Sequence, residues 1–582
     1  MSTKKKTLRR RKISNSDEEE EQQVQKSNEV QKRTSALGTA TSTKLSFFDE
    51  INEEADISEY KSLKFISKDS YSPMTQSSNT QEKNINTGTN VEQGLSFNEQ
   101  ISKMKTNVKS EIRTSDQSGR GIFALQNIPS GTLVMEDMSY ASVVDDANLS
   151  IICSNCFMKG GKLLCCANCK IVYYCSKECQ RNDWAIHQHE CKIFVKVQRK
   201  PPTSIRLICR ILIRRMSDPA SFKEIENLQS NRNLFKQEKI EPFVQMSMVV
   251  RECVPKEAIL NSSDMIELFC RFTENSFSIM DGEMIPNGAA IYSNTSLINH
   301  SCQPNCVVVF EKSKMMIRCI EPIMKDQEIT INYIDVSQPG EERRKELQDR
   351  YYFICKCELC EYYKLYNYKL YSKSHVDPRS ALRCQNPTCS NAIEPPESLE
   401  LGVEEYTSTC SVCSKEIHYD VADVEKRLSV ALEFFDKGTE LRDQDDRQAV
   451  TLFEQTFKIQ QELLYEANYN MIRTRKTLVE IYCNLKDWKK ALDHSLKLIE
   501  SYRILYSKSH PLLSLQIYST ARIYLSFDYN DIKVKDLEKI DELLREALKG
   551  LEITHGYQHP ITKMVEMNLW DVEGELGLKK GE

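Results

Sequence analysis

Cysteines in closely spaced pairs constrain the fold of this chain more than any other feature of its sequence. Between residues 153 and 191, three cysteine pairs are followed by a His-x3-Cys pair, which shares one face if the segment is helical. Tetrahedral zinc takes four such ligands, so this segment is predicted to bind two zinc ions that supply its folding energy. Cys165 and His189 fit the spacing less well. The eight candidate ligands are Cys153, Cys156, Cys166, Cys169, Cys175, Cys179, His187 and Cys191.

Two further cysteine sets follow downstream. Cys355, Cys357 and Cys360 leave a tetrahedral site one ligand short. A complete set of four predicts a small zinc ribbon, and its members are Cys384, Cys389, Cys410 and Cys413.

Composition excludes some classes of protein. A net charge of −5 and a pI near 6.1 argue against a globally basic nucleic-acid binder. We find neither an apolar run of about 18 residues nor a secretory signal. We therefore expect an intracellular protein, located in the nucleus and the cytoplasm, whose 22 cysteines are not paired as disulfides.

Residues 1–108 are rich in polar and charged side chains, and we expect them to form a disordered tail. The basic run at 4–12 fits a nuclear-import signal or a contact with a polyanion, and it equally fits a solvated tail. Two segments, 45–51 and 95–101, share a Leu-Ser-Phe pattern. They are either paired docking motifs or similar by chance.

A second constraint comes from residues 299–305, which read Asn-His-Ser-Cys-Gln-Pro-Asn. The proline turns the chain away from helix, and the β-branched run at 307–309 places the segment at the mouth of a strand. Upstream, a Gly119-Arg120-Gly121 turn runs into another strand, and Tyr333 ends an alternating strand. Each of these features alone is consistent with an ordinary polar turn or strand.

The last third of the chain is predicted to be helical from about residue 421. Two His-Pro corners, at His510 and His559, recur 49 residues apart, which suggests helix pairs in a TPR-like array. The two histidines are interpreted as helix-entry residues and not as metal ligands.

In combination, the motifs resemble those of the SMYD family, the SET and MYND domain-containing protein lysine methyltransferases, over about residues 110–575. The resemblance implies an α+β fold in which a MYND zinc finger and a helical insert split the SET-domain sheet, followed by a post-SET zinc site, the ribbon and an all-α TPR-like lobe. The expected units are a disordered tail (1–108), the SET N-terminal part (109–152), the MYND finger (153–191), the helical insert (192–285), the SET core (286–336), the post-SET segment (337–365), the zinc ribbon (378–418) and the TPR-like lobe (421–577).

The resemblance also implies which residues act together. In the finger, Cys153, Cys156, Cys175 and Cys179 would hold one zinc, and Cys166, Cys169, His187 and Cys191 the other. Cys302 would complete the post-SET site with Cys355, Cys357 and Cys360. Tyr333 would lie where the cofactor methyl meets the lysine amine, with Tyr292 and Tyr351 as channel tyrosines. S-adenosylmethionine would be bound by Arg120, Asn231, Asn275, Asn299, His300, Tyr333 and Phe353.

This sequence departs from the family pattern at three places. The turn before Glu328 has Asp326 where glycine is usual, position 229 is glutamine where an acidic residue is common, and the ribbon has no clear counterpart in many members. Asp tolerates turn geometry, so we expect little effect at 326.

We therefore predict an S-adenosylmethionine-dependent protein-lysine N-methyltransferase that acts on histone tails or other proteins, works as a monomer and has no membrane contact. The finger and the helical lobe would bind peptide partners, although the finger fits a purely structural role equally well. The rival reading is a catalytically weak scaffold that recruits partners in transcriptional regulation. Direct nucleic-acid binding would depend only on residues 4–12 and the finger, and would be strongly salt-dependent.

Overall fold

The computed structural model describes residues 106–115, 119–197, 200–367, 376–395, 405–442, 444–528 and 532–580. The basic run at 4–12 and both Leu-Ser-Phe segments lie outside the described residues. Within the described ranges, none of the helices combines the length and the apolar character that crossing a membrane requires.

The central fold is built from two three-stranded antiparallel sheets. One has the order β10-β11-β3 and the other β4-β8-β7. A hairpin of β1 and β2 and a short parallel pair of β9 and β12 complete this region. The buried β-branched run at 307–309 lies in β10, as the sequence predicts. The strands are β1 (Ser110–Ser115), β2 (Gly119–Ala124), β3 (Leu133–Met138), β4 (Ala141–Val144), β7 (Ser276–Met280), β8 (Pro286–Ile291), β9 (Asn299–His300), β10 (Cys306–Glu311), β11 (Lys314–Cys319) and β12 (Thr330–Ile331).

The chain leaves this fold after β4 and returns to it at β7, which pairs with β8, and β8 pairs in turn with β4. The backbone N–H of Asp145 donates to the carbonyl of Asn287 at 3.0 Å, so the two ends of the intervening segment are adjacent. That segment contains a finger with the hairpin β5 (Leu164–Cys165) and β6 (Tyr173–Tyr174), then five helices. The helices are α1 (Lys177–Val197), α2 (Thr203–Ser217), α3 (Pro219–Glu226), α4 (Gln237–Cys253) and α5 (Ser262–Asn275).

Helix α2 anchors the insertion to the sheet. All its residues from Thr203 to Ile213 are buried, and it packs against β4 and β8. The predicted helical insert is therefore present, and its apolar residues form one core with the outer face of this sheet.

After β12 the chain forms α6 (Gly340–Tyr351) and α7 (Glu358–Asn367) and then a small ribbon. The ribbon strands are β13 (Leu382–Arg383), β14 (Ala392–Ile393), β15 (Glu405–Thr409) and β16 (Glu416–Asp420).

The C-terminal lobe is all-helical from Val421, and consecutive helices pack in pairs as a TPR-like array. His510 caps α12, because its Nδ1 accepts the N–H of Leu512 at 3.3 Å. His559 does the same for Ile561 at the start of α14. Both histidines are therefore helix-entry residues, as predicted. The helices are α8 (Val421–Arg442), α9 (Asp446–Leu463), α10 (Tyr469–Asn484), α11 (Trp488–Leu505), α12 (Pro511–Tyr524), α13 (Val534–Thr554) and α14 (Pro560–Lys580).

This lobe is joined directly to the central sheets. Nε2 of His559 lies 3.0 Å from the carbonyl of Phe310, and Nε of Arg318 donates to the carbonyl of Ile553 at 3.2 Å. The lobe therefore contacts the β10–β11 hairpin through one backbone carbonyl from each side, Phe310 of the hairpin and Ile553 of the lobe.

Candidate active site and metal centres

The structure brings the predicted metal ligands together in four separate clusters. The donor atoms of each cluster all lie within 4.8 Å of one another. Sulfur–sulfur distances are 3.7 Å for Cys156–Cys175, 3.8 Å for Cys166–Cys191, 3.6 Å for Cys302–Cys360 and 3.7 Å for Cys384–Cys413. A zinc tetrahedron with bonds of about 2.3 Å has edges of about 3.8 Å, so these spacings fit the ion. The clusters are Cys153/Cys156/Cys175/Cys179, Cys166/Cys169/His187/Cys191, Cys302/Cys355/Cys357/Cys360 and Cys384/Cys389/Cys410/Cys413.

These are the four sets that the sequence and the resemblance together predict. The pairs of the finger interleave, and Cys302 joins the three downstream cysteines although it lies more than fifty residues before them. Cys165 is exposed and belongs to none of the four clusters, which agrees with its poorer spacing.

A buried ion-pair network supports the second finger cluster. Nε2 of His187 faces Cys169 Sγ at 3.6 Å, and Nδ1 lies 3.3 Å from Glu190 Oε2. From α2, Arg210 donates to Glu190 at 2.8 Å and to Asp183 at 2.9 Å. Burial alone would raise the pKa of Glu190, but Arg210 and His187 lower it to about 2. Such carboxylate–histidine pairs orient metal ligands, so the finger and the insert share one polar core.

An aromatic cluster surrounds Tyr333. Its ring centroid lies 5.4 Å from that of His300 and 5.1 Å from that of Tyr351, and its hydroxyl donates to the carbonyl of Ile298 at 2.5 Å. Phe353 packs on His300 with the ring centroids 6.1 Å apart. Burial raises the pKa of Tyr333 and of Tyr351 well above the usual value near 10. Both phenols therefore stay neutral and keep a fixed orientation.

His300 joins this aromatic cluster to the post-SET cysteines. Its Nδ1 accepts the backbone N–H of Tyr333 at 2.9 Å, so that nitrogen carries no proton. The proton is then on Nε2, which lies 3.3 Å from Cys302 Sγ. One neutral imidazole thus bridges a metal ligand and the backbone of the candidate catalytic tyrosine.

Asn299 holds the opening strand pair against this segment. Its Nδ2 donates to the carbonyl of Arg120 at 2.9 Å and to Oε1 of Glu328 at 2.7 Å. A Cβ on Gly121 would lie only 2.1 Å from Glu328 Oε1 and 2.8 Å from Asn299 Nδ2. The second glycine of the Gly-x-Gly turn is therefore needed for this close approach. Burial lowers the pKa of Arg120 below its usual value.

The remaining predicted cofactor residues meet at the end of α5. Nδ2 of Asn275 donates to the carbonyl of Gln229 at 2.9 Å. Glu274 accepts from the backbone N–H of Asn231 at 3.0 Å and from its Nδ2 at 2.8 Å. Between these contacts, the buried Oγ of Ser230 has no hydrogen-bond partner among the described residues. Residues 229 and 231 are thus fixed by contacts with α5, and the hydroxyl between them makes no hydrogen bond to any described residue.

Tyr292 occupies a different environment from the other two predicted tyrosines. It is fully buried, its ring packs between Phe277 of β7 and Phe310 of β10, and its hydroxyl donates to the carbonyl of Ser313 at 2.7 Å. These contacts give Tyr292 a packing position in the sheet core. Its role in a lysine channel stays a prediction that rests on the resemblance alone.

Sequence reasoning missed Glu274 and Glu328, the two carboxylates that position the asparagines. Glu274 directly precedes Asn275, and Glu328 lies two residues before β12. The strand that the sequence predicts to end at Tyr333 is shorter in the structure and ends at Ile331. An acidic residue close in sequence to a predicted binding residue is the pattern that could have predicted these two carboxylates. At the departure from the family at Asp326, φ is 69°, the left-handed turn that an aspartate tolerates.

The chain is similar to known proteins over most of its length. The model of the SET domain matches residues 119–334. The chain is 27% identical to "Histone-lysine N-methyltransferase ASHR1" of Arabidopsis thaliana, over 80% of this chain and 95% of that protein. It is 26% identical to human "Histone-lysine N-methyltransferase SMYD3", over 78% of this chain and 95% of that protein. Human "N-lysine methyltransferase SMYD2" is also 26% identical, over 78% of this chain and 96% of that protein.

The SET match includes the whole inserted finger and helical segment, and the similarity to the full-length relatives covers about four fifths of the chain. Both finger clusters, Cys302 and Tyr333 lie within the residues of the SET match. The SET-domain match, together with the similarity to SMYD proteins over most of the chain, supports a protein of the SMYD family of SET and MYND domain proteins.

Proposed function

We propose that this protein is a protein-lysine N-methyltransferase that uses S-adenosylmethionine and acts on histone tails or other lysine-bearing proteins. The observation that carries the proposal is the aromatic group of buried Tyr333 and Tyr351 with half-buried His300, which is continuous with the Asn299 segment. The similar proteins are named histone-lysine or N-lysine methyltransferases, which supports the same reaction class.

The residues present fit the proposed cofactor. S-Adenosylmethionine would supply a methyl group on a sulfonium. The amides of Asn231, Asn275 and Asn299 are each fixed by a hydrogen bond and would bind it, and the hydroxyl of Ser230, which has no partner among the described residues, would add a further contact. Phe353, packed on His300, would cover the adenine side. Arg120 presents its half-buried side chain from the adjoining turn, where burial lowers its pKa.

The tyrosines would align the lysine nitrogen and exclude water. The aromatic faces of Tyr333 and Tyr351 stabilise a methylated ammonium by cation–π attraction. Because the hydroxyl of Tyr333 is anchored on the carbonyl of Ile298, its ring has one fixed position. Such alignment of amine and methyl supplies most of what an in-line displacement needs from a protein.

The four ligand clusters would each hold one zinc ion, two in the finger, one in the post-SET segment and one in the ribbon. The post-SET ion would fix α7 and the segment that carries Tyr351 and Phe353 next to residues 299–302. Elemental analysis of the purified full chain should then give four zinc ions per molecule.

The test of the function is incorporation of labelled methyl from S-adenosylmethionine into histones and a whole-lysate protein panel, with wild type beside Tyr333→Phe. Labelled bands that vanish in the variant are the expected result. If no protein became labelled and the chain did not bind S-adenosylmethionine, the proposed enzymatic activity would be contradicted and a scaffold role favoured. We further propose that the protein is a monomer located in the nucleus and the cytoplasm, and that its finger and helical lobe bind peptides. Cell fractionation would test the location. Pull-down experiments with either the finger surface or the lobe surface mutated would test peptide binding.

Gly121→Ala should weaken cofactor binding about tenfold or more. The added methyl would collide with Glu328 and Asn299 and push apart the network that holds the turn. Isothermal titration of S-adenosylmethionine measures the effect. Gly574→Ala is a matched control, because a Cβ there meets nothing within 4 Å. Equal affinity of the two variants would show that this close approach does not shape the cofactor site.

The rate should rise with pH up to about 10. The substrate amine titrates near 10.4 and must be neutral to react. Burial raises the pKa of Tyr333 and Tyr351, so both phenols keep their protons throughout this range and cause no loss of rate. We expect log(kcat/KM) to increase with a slope approaching one from pH 7 to 9. A decrease of kcat/KM with rising pH below pH 10, while the protein stays folded, would contradict the prediction that both phenols remain protonated.

A further inference from the structure

Asp137 is a buried carboxylate near the end of β3, with 5% of its surface exposed. Pairing of β3 with β11 places it opposite Met315 and fixes its register. Its Oδ1 accepts the side-chain N–H of Asn294 at 3.1 Å. Its Oδ2 accepts the backbone N–H of Thr295 at 2.9 Å and the hydroxyl of the same residue at 3.0 Å. A carboxylate has two acceptor oxygens and no donor, so it suits a site on which three donors converge.

The three donors lie at the start of one 3₁₀ turn, Thr295–Leu297. The backbone N–H of Ile298 donates to the carbonyl of Thr295 at 3.0 Å, which ties Ile298 to this turn. The carbonyl of Ile298 in turn accepts the hydroxyl of Tyr333 at 2.5 Å, and β9 begins directly after it. Asp137 is therefore connected to the hydroxyl of Tyr333 through a single turn of the chain.

Ser296 holds the same turn from another side. Its hydroxyl donates to the carbonyl of Tyr292 at 2.8 Å and also lies 3.3 Å from the carbonyl of Asn275, at the end of α5. Burial raises the pKa of Asp137, and the hydrogen bonds from the turn partly offset that rise. Within the described part of the chain, the carboxylate of Asp137 forms hydrogen bonds only with Asn294 and Thr295. Any effect of Asp137 on the active site must therefore pass through the turn.

We propose that Asp137 is a positioning residue for methyl transfer, because it fixes the Thr295–Leu297 turn whose next carbonyl, that of Ile298, holds the hydroxyl of Tyr333. Without an acceptor at this point, the buried N–H of Thr295 would be unsatisfied, and the turn would shift to find another partner. The effect on the rate rests on the proposed function, whereas the effect on the turn does not depend on activity.

The first measurement is the rate of methyl transfer by the full-length protein. Asp137→Ala removes both acceptor oxygens and should lower kcat about tenfold or more, since small displacements at a reacting group are costly. Asp137→Asn keeps an acceptor for the N–H of Thr295, and its amide can pair with that of Asn294, so kcat should stay within about threefold of wild type.

A double variant shows whether the effect passes through the hydroxyl of Tyr333. In a Tyr333→Phe background that hydroxyl is absent, so adding Asp137→Ala should lower kcat by less than about twofold. General loss of structure would instead lower kcat by the same factor in both backgrounds. That result, or wild-type kcat in Asp137→Ala, would overturn the proposal. If Asp137→Ala does not fold, Thr295→Val removes one of the three hydrogen bonds and should lower kcat about threefold, again only when Tyr333 is present.

Hydrogen exchange followed by mass spectrometry tests the turn without any need for activity. Asp137→Ala should speed exchange about tenfold in the peptide that contains Thr295 and Ile298, while peptides of the finger and the lobe exchange as in wild type. Asp487→Ala is the matched control, because half-buried Asp487 accepts the backbone N–H of Lys490 at 3.2 Å at the start of α11. It should leave both kcat and exchange at the turn unchanged.

The two measurements separate failure of this inference from failure of the proposed function. A wild-type chain that transfers no methyl would overturn the function. Unchanged exchange at the turn in Asp137→Ala would overturn the inference alone, whatever the activity of the wild type.

Discussion

Replacing Tyr333 by phenylalanine is expected to lower kcat/KM for methyl transfer by about a hundredfold or more. The hydroxyl is the only group removed, and it anchors the ring on the carbonyl of Ile298 at 2.5 Å. Without that anchor, the ring that faces Tyr351 and His300 is free to shift, and a displacement of about 1 Å can cost a hundredfold in rate. Initial-rate measurements with labelled S-adenosylmethionine on a responsive substrate give the value.

The same substitution should leave the fold and the zinc content intact. Loss of one buried hydrogen bond costs only about 1 kcal/mol of unfolding free energy. Tyr518→Phe is the matched control, because it removes an equally buried hydroxyl that binds Asn568 in the helical lobe. We expect its rate to stay within about twofold of wild type. Full activity of Tyr333→Phe would rule out the role proposed for this residue.

Arg210→Met should destabilise the finger and insert by about 3 to 5 kcal/mol. The substitution leaves the buried carboxylates of Asp183 and Glu190, which are 5% and 4% exposed, without their arginine partner. It also removes the cation that holds Glu190 in place beside the metal ligand His187. Denaturant unfolding followed by the fluorescence of Trp184, which lies in α1 beside His187, reports on this region.

Arg215→Met, on the same helix, is the matched control. Arg215 has a cation–π contact with Phe222 and no buried ion pair among the described residues, so its loss should cost less than about 1 kcal/mol. If both variants unfolded at the same denaturant concentration, the Asp183–Arg210–Glu190 network would contribute nothing to stability.

Ligand clusters were the part of the site that the sequence could predict best. Spacings such as Cys-x2-Cys are local, so they can be recognised in the sequence without knowledge of the tertiary structure. The helical lobe was predicted for the same reason, since apolar periodicity and the His510 and His559 corners are short-range signals. The position of Cys302 in the post-SET cluster depended on the family resemblance, because nothing local links it to Cys355.

Side-chain contacts between distant elements could not be predicted. Arg210 belongs to an ordinary amphipathic helix in the sequence, and only packing of α2 on the finger brings it to Glu190. Tyr292 lies close to the Asn-His-Ser-Cys segment along the chain, yet its hydroxyl is bound at the β10–β11 turn. Arg343 lies in the charged run Glu341-Glu342-Arg343-Arg344, a pattern typical of a solvated helix face, while the structure buries it completely. Local patterns carry little information about which polar residue becomes buried.

The meeting of Asp145 with Asn287 has a consequence for how the protein folds. The strands on either side of the insertion can pair only after a loop of about 140 residues closes, at an entropic cost of about 4 kcal/mol. If the insertion folds first, its adjacent ends close that loop before the sheet forms. Zinc would then act early in folding, because binding of the metal by the finger would set how quickly the two halves of the central fold pair.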